Sequence, residues 1–145
     1  MKIIITTITL DTGAGFSVHD ISAAVRSAIA DAGLTDGFVT VVSHHTTTAL
    51  GINEYEERLL DDMKTFFAQL VPPDKPYQHN DIHLRDCPPD EPENAHAHLV
   101  ALLLGRSESI PLRQGELVLG QYQSLLLFEL DGPRSRRVEV QICGQ

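Results

Sequence analysis

Seven histidines, His19, His44, His45, His79, His83, His96 and His98, stand in a chain of 145 residues. Imidazole is the commonest metal-binding side chain in proteins, and the only one whose ordinary titration falls near neutrality. Spacing limits which of the seven can act together. His44 and His45 close the β-branched run Gly37-Phe38-Val39-Thr40-Val41-Val42. Adjacent residues on a strand face opposite sides, so at most one of the pair enters a given site. His96 and His98 lie on a helical stretch, roughly 200° apart around its axis, so again only one serves. His98 shares its helix face with Asn94, four residues earlier. His79 and His83 fall between Pro72 and Pro92, a stretch holding six of the eight prolines, where no regular structure fixes their direction. His19 sits at a predicted helix start and reads as a solvated or capping residue. One imidazole each from the strand end, the loop and the helix, together with water, would form an open metal site of the catalytic type. Without a metal, the same rings supply acid/base and anion-binding groups. Neither H-E-x-x-H nor C-x-x-C occurs, so both chemistries stay open.

Other polar residues could support such a site. Asn53 and Glu54 follow Thr46-Thr47-Thr48, either as helix caps or with Glu54 as a carboxylate that orients a histidine. Gln123 and Glu129 lie in a strand-like segment over 117–130 whose two faces are both largely apolar. Each therefore needs a partner or a ligand, because a buried unpaired polar group costs about 1–3 kcal/mol. Arg134, Arg136 and Arg137 form the only basic cluster. Such clusters usually tie down local acids, but in an acidic chain they can also collect an anionic ligand. No Walker A or G-x-G-x-x-G sequence is present.

Positioning these residues falls to a single domain spanning 1–145. Its 42% apolar composition suffices for a core. The formal charge of −9 argues against a nucleic-acid partner or an anionic membrane surface. No apolar run reaches the roughly 18 residues of a spanning helix, and the Thr-rich start does not read as a signal peptide. Cys87 and Cys143 make no disulfide framework, so a cytoplasmic location with reduced thiols is expected.

Ile- and Thr-rich residues 2–10 predict a strand. Ser17 and Asp20 read as a capping box for a helix over about 19–32, stopped by Gly33. A strand is expected over 37–42. Tyr55, Leu59, Leu60, Met63, Phe66, Phe67 and Leu70 predict an amphipathic helix over about 54–70. A third helix starts near Asp90-Glu91-Pro92-Glu93 and ends at Gly105. Strands then follow over 109–112, 116–119, 122–130 and 137–142. This order is α+β with an antiparallel C-terminal meander. Two apolar faces on 117–130 call for cover from a second sheet or another subunit.

Several blocks together resemble the YjbQ-like family, whose members are labelled secondary thiamine-phosphate synthase enzymes. They are His45-Thr46-Thr47-Thr48-Ala49-Leu50-Gly51-Ile52-Asn53-Glu54, Asn94-Ala95-His96-Ala97-His98-Leu99, Leu103-Leu104-Gly105-Arg106-Ser107, and Glu129-Leu130-Asp131-Gly132-Pro133-Arg134-Ser135-Arg136. The resemblance implies an α+β domain with an antiparallel β-sandwich and about three helices, assembled as a homotrimer. It implies a pocket in which His45, His79 and His98 hold a divalent metal, zinc or magnesium. Glu54 and Gln123 would act with His45 in catalysis, and Asn94 and Arg134 would hold the cofactor or a phosphate. The implied substrates are small phosphorylated metabolites: a thiazole phosphate joined to a pyrimidine pyrophosphate with release of pyrophosphate. A metallohydrolase using the same imidazoles, or a non-catalytic trimer that binds a metal or metabolite, would use the same pocket. One segment departs from the family pattern. Gly120-Gln121-Tyr122-Gln123 stands where members typically read Gly-Thr-Trp-Gln.

Overall fold

The computed structural model describes residues 1–145. Eight strands and three helices follow in the order β1 (Lys2–Asp11), β2 (Gly15–Asp20), α1 (Ser22–Ala32), β3 (Gly37–Ser43), β4 (Thr48–Asn53), α2 (Glu57–Leu70), α3 (Ala95–Leu104), β5 (Ser107–Arg113), β6 (Glu116–Leu117), β7 (Ser124–Gly132) and β8 (Ser135–Gly144). Two short 3-10 turns, Gln78–Asn80 and Ile82–Leu84, are the only regular structure between α2 and α3. All pairings are antiparallel, in a five-stranded sheet ordered β1-β8-β3-β5-β6 and a three-stranded sheet ordered β2-β7-β4. No helix is long and apolar enough to cross a membrane.

The core lies between the sheets. Val39, Val41, Ile110, Val138 and Val140 from the larger sheet meet Leu50, Leu125 and Leu127 from the smaller one, with Ile21, Val25 and Ile29 of α1 closing the cluster. β7 has two apolar faces, as expected, and its chain neighbours cover both. Leu125 and Leu127 enter this core, while Leu126, Phe128 and Leu130 pack in a second cluster with Ala97, Val100 and Ala101 of α3. Cover for β7 thus comes from the larger sheet on one face and from α3 on the other, without calling on another subunit.

All three expected helix starts are also corrected. Residues 15–20 form a strand that pairs with β7. Ser17 is not a cap, because its hydroxyl bonds His19 Nε2 at 2.8 Å, and Asp20 instead accepts the Ser22 amide at 2.9 Å. Residues 48–53 also pair with β7, so α2 begins only after Glu56, whose carboxylate accepts the amides of Arg58 and Leu59. The third helix starts at Ala95 rather than near Asp90.

Candidate functional site

β3 ends at Ser43, and the chain turns through His44–Thr47 into β4. The ends of this turn are fixed from behind. The Ser43 and Thr48 hydroxyls bond each other, the His45 amide donates to Ser43 Oγ at 3.3 Å, and Arg136 Nη2 donates to Thr47 Oγ1 at 2.8 Å. Arg136 in turn is locked onto Glu129 through two bonds of 2.7 Å. Thr12 and the Asp131 amide fill the remaining acceptor positions of that carboxylate at 2.6 and 2.9 Å. Glu129 is fully buried, and burial alone would raise its pKa. The bonds from Arg136, Thr12 and Asp131 outweigh that and hold it below the ordinary value. The partner that Glu129 required is thus Arg136.

His45 reaches across to β8, where its Nε2 accepts the Arg137 amide at 3.0 Å. Only an unprotonated nitrogen can accept, so the neutral ring carries its proton on Nδ1. Burial and the nearby Arg136 and His44 also lower the His45 pKa, against an opposing pull from Glu129. Its ring-proton NMR titration is therefore expected to have a midpoint below 6.5, the ordinary histidine value. A midpoint above it would show that burial and the Arg136 charge do not govern the ring.

α3 supplies the opposite wall. Its first amide, Ala95, donates to Asn80 Oδ1 at 3.1 Å, and Arg85 donates to the His79 carbonyl at 2.9 Å. These bonds tie the proline-rich stretch to the helix start. They place the His79 ring edge-on to His98, with centroids 4.7 Å apart. Burial, with help from His79, lowers the His98 pKa and keeps its ring neutral.

A cleft of about 370 Å³ lies between the β3–β4 turn and α3, lined by His44, His45, Thr46, His98 and Arg106 among others. His98 is shared with a neighbouring cleft of about 400 Å³ that includes Tyr77 and His79. His45 and His98 thus face one space, and His79 and His98 another. His44 lines the first cleft too, because strand alternation ends with β3 at Ser43; the expectation that only one of the pair enters is corrected. His96 points away on the opposite face of α3, as the helical spacing requires.

No three His, Cys, Asp or Glu side chains come together as a metal-binding group. With His45 Nε2 occupied by an amide and its proton on Nδ1, that ring offers no free lone pair. Within one chain, His45, His79 and His98 therefore do not fit a divalent metal as arranged. The remaining candidates lie elsewhere. Asn94 and Arg134 converge on the Asp131 carboxylate, at 2.7 and 2.8 Å, and satisfy it rather than a ligand. Gln123 accepts its own turn's Gly120 amide at 2.7 Å, so Gly120-Gln121-Tyr122-Gln123 forms a surface turn outside the cleft. Glu54 is half-buried beyond β4 and lines neither cleft. The residue that sequence reasoning missed is Arg106. It follows the helix-ending Gly105, is exposed, and has no carboxylate partner. Its one signal was its place inside the Leu103–Ser107 block.

The protein is an eight-stranded α+β domain of two antiparallel sheets and three helices, with a histidine- and arginine-lined cleft between the β3–β4 turn and α3. Residues 6–145 match the family model described as UPF0047 protein YjbQ-like, and the chain belongs to that family. A UPF0047 protein of Archaeoglobus fulgidus is 42% identical, over 92% of this chain and 96% of its own length. One from Methanothermobacter thermautotrophicus is 38% identical, over 94% and 89%. The crystal structure of a YbjQ-like protein of unknown function from Sulfolobus solfataricus superimposes with a TM-score of 0.89 at 34% identity, covering 99% of both chains.

Proposed function

We propose that the chain is a transferase acting on small phosphorylated metabolites, in the manner of a thiamine-phosphate synthase, with the phosphate end held in the His45–His98 cleft. The observation that carries this reading is the cleft's lining: two neutral imidazoles and one guanidinium free of carboxylate partners. Arg106 supplies a forked, permanently charged donor suited to phosphate oxygens. His45 adds a directed Nδ1–H. Together they would stabilise the negative charge that grows on a departing pyrophosphate as the thiazole nitrogen attacks the pyrimidine methylene carbon. His98, neutral at neutral pH, can pass a proton to or from the reacting groups.

A homotrimer belongs to the same reading. Leu102, which lines the cleft, is 81% exposed and Leu103 beside it in the chain is 65% exposed, and a neighbouring copy would cover them.

The test uses purified protein whose assembly state is fixed by sedimentation. Pyrophosphate release is expected only when the thiazole phosphate and the pyrimidine pyrophosphate are both supplied. Arg106→Ala should raise KM by about tenfold or more, and His98→Ala should lower kcat by roughly a hundredfold. Release from the pyrophosphate substrate alone would make the chain a hydrolase. No turnover, together with no phosphate-induced NMR shifts at His45 and Arg106, would overturn the reading. One tightly held metal per chain, lost in His98→Ala, would replace the metal-free account of the cleft. A single monomer boundary would remove the trimer.

A further inference from the structure

On the other side of α3, away from the His45 cleft, a second chamber of about 180 Å³ opens beneath α2 and beside β2. Its apolar lining includes Phe16, Phe67, Val71, Val100 and Leu130, and the only polar side chains that reach it are Lys64 and His96. The Phe16 and Phe67 rings stand 6.0 Å apart at 50°, and Phe67 meets Phe128 edge-on at 6.2 Å. A volume of this size suits one aromatic ring, since a cavity of about 150 Å³ lined by apolar side chains stays dry and accepts benzene. Aromatic walls at tilted angles favour a flat occupant.

The two polar groups restrict the occupant further. Lys64 has no carboxylate partner. His96 Nδ1 is sealed from solvent and has no hydrogen-bond partner. A sealed, unpaired N–H is rarer than an unpaired acceptor, so the neutral ring keeps its lone pair on Nδ1 and its proton on Nε2. Lys64 therefore offers an ammonium and His96 an imidazole N–H on Nε2, and no carboxylate lines the chamber.

We propose that this chamber binds a monocyclic aromatic carboxylate, with its ring packed against the touching Phe16–Phe67 pair and its carboxylate shared by Lys64 and His96. The site uses no residue of the His45 cleft and stands whether or not the chain is a transferase.

The test is a titration of the ¹⁵N-labelled full chain with benzoate, followed by amide NMR shifts. Saturable shifts are expected at Phe16, Val71, Ala97 and Val100 and not at His45 or Arg106. Benzyl alcohol, which keeps the ring and loses the charge, should bind about fivefold more weakly. Lys64→Gln should weaken benzoate by about fivefold and leave benzyl alcohol unchanged. Ala68→Phe fills the chamber from an exposed position on α2 and should abolish the shifts, with an unchanged unfolding midpoint showing that the fold is intact. The proposal fails if millimolar benzoate gives no saturable shift. It also fails if the shifts survive Ala68→Phe, or if benzoate and benzyl alcohol bind equally to the wild-type chain.

Discussion

Replacing Arg136 with methionine is expected to cost about 3–5 kcal/mol of stability at neutral pH. The guanidinium makes two of the four hydrogen bonds to Glu129, a carboxylate with no solvent contact, and a third to Thr47. Removing it strands a buried charge, whose desolvation is then opposed only by Thr12 and the Asp131 amide. The sign of the pH dependence follows. In the wild-type chain the Glu129 pKa is lowered, so its contribution is present above the ordinary value of 4.5 and is lost as pH falls through the folded value. In Arg136→Met burial dominates, the pKa rises, and the carboxylate protonates as the solution becomes mildly acidic. Urea midpoints of the two proteins should lie furthest apart near neutrality and converge toward about pH 4. Equal separation at both pH values would place the cost in packing rather than in the ion pair. The double change Glu129→Leu with Arg136→Met should recover much of the loss but not all, because Thr12, Thr47 and the Asp131 amide lose their partners. The same variant should disturb the His45 region, since Arg136 holds the turn that presents it.

Gly37→Ala is expected to cost about 3 kcal/mol, lowering the thermal midpoint by about 10 °C. β3 lies against β8 here, with Gly37 opposite Gly144. A Cβ on Gly37 would overlap the Cys143 carbonyl oxygen and sit 2.7 Å from the Gly144 Cα. Both obstacles are backbone, so no side chain can turn aside, and the strand pair must separate where it anchors the chain's last residues. A thermal melt monitored by circular dichroism checks this. A midpoint within about 2 °C of the wild type would mean that the β3–β8 pairing yields easily at that end.

The residues that spoke clearly in the sequence were those whose pattern had one physical reading. β1 is rich in Ile and Thr, α2 repeats its apolar residues at helical spacing, and the double-faced apolar run of β7 read as a strand packed on both sides. β2 and β4 were hidden for a shared reason. Each is six residues long and ends in a residue that also caps helices, Asp20 in one and Asn53 in the other. Local capping chemistry favoured a helix start, and pairing with β7, invisible locally, favoured a strand. In the site, opposite directions for His96 and His98 followed from the helix period alone. The shared placement of His44 and His45 did not, because it depends on where β3 stops. The demand of Glu129 for a partner was legible from its apolar neighbours. Its answer in Arg136 was not, because the two residues meet only once the chain crosses from β7 in one sheet to β8 in the other.

α3 separates two chambers, with His98 on one side and His96 on the other. A ten-residue helix moves as a rod, not as independent faces. If filling one chamber turns or slides that rod and so changes the affinity of the other, filling the second changes the affinity of the first by the same factor. Two occupants that never touch would then sense each other through a shared partition, and an exchange of affinities between them would measure how firmly the rod is seated.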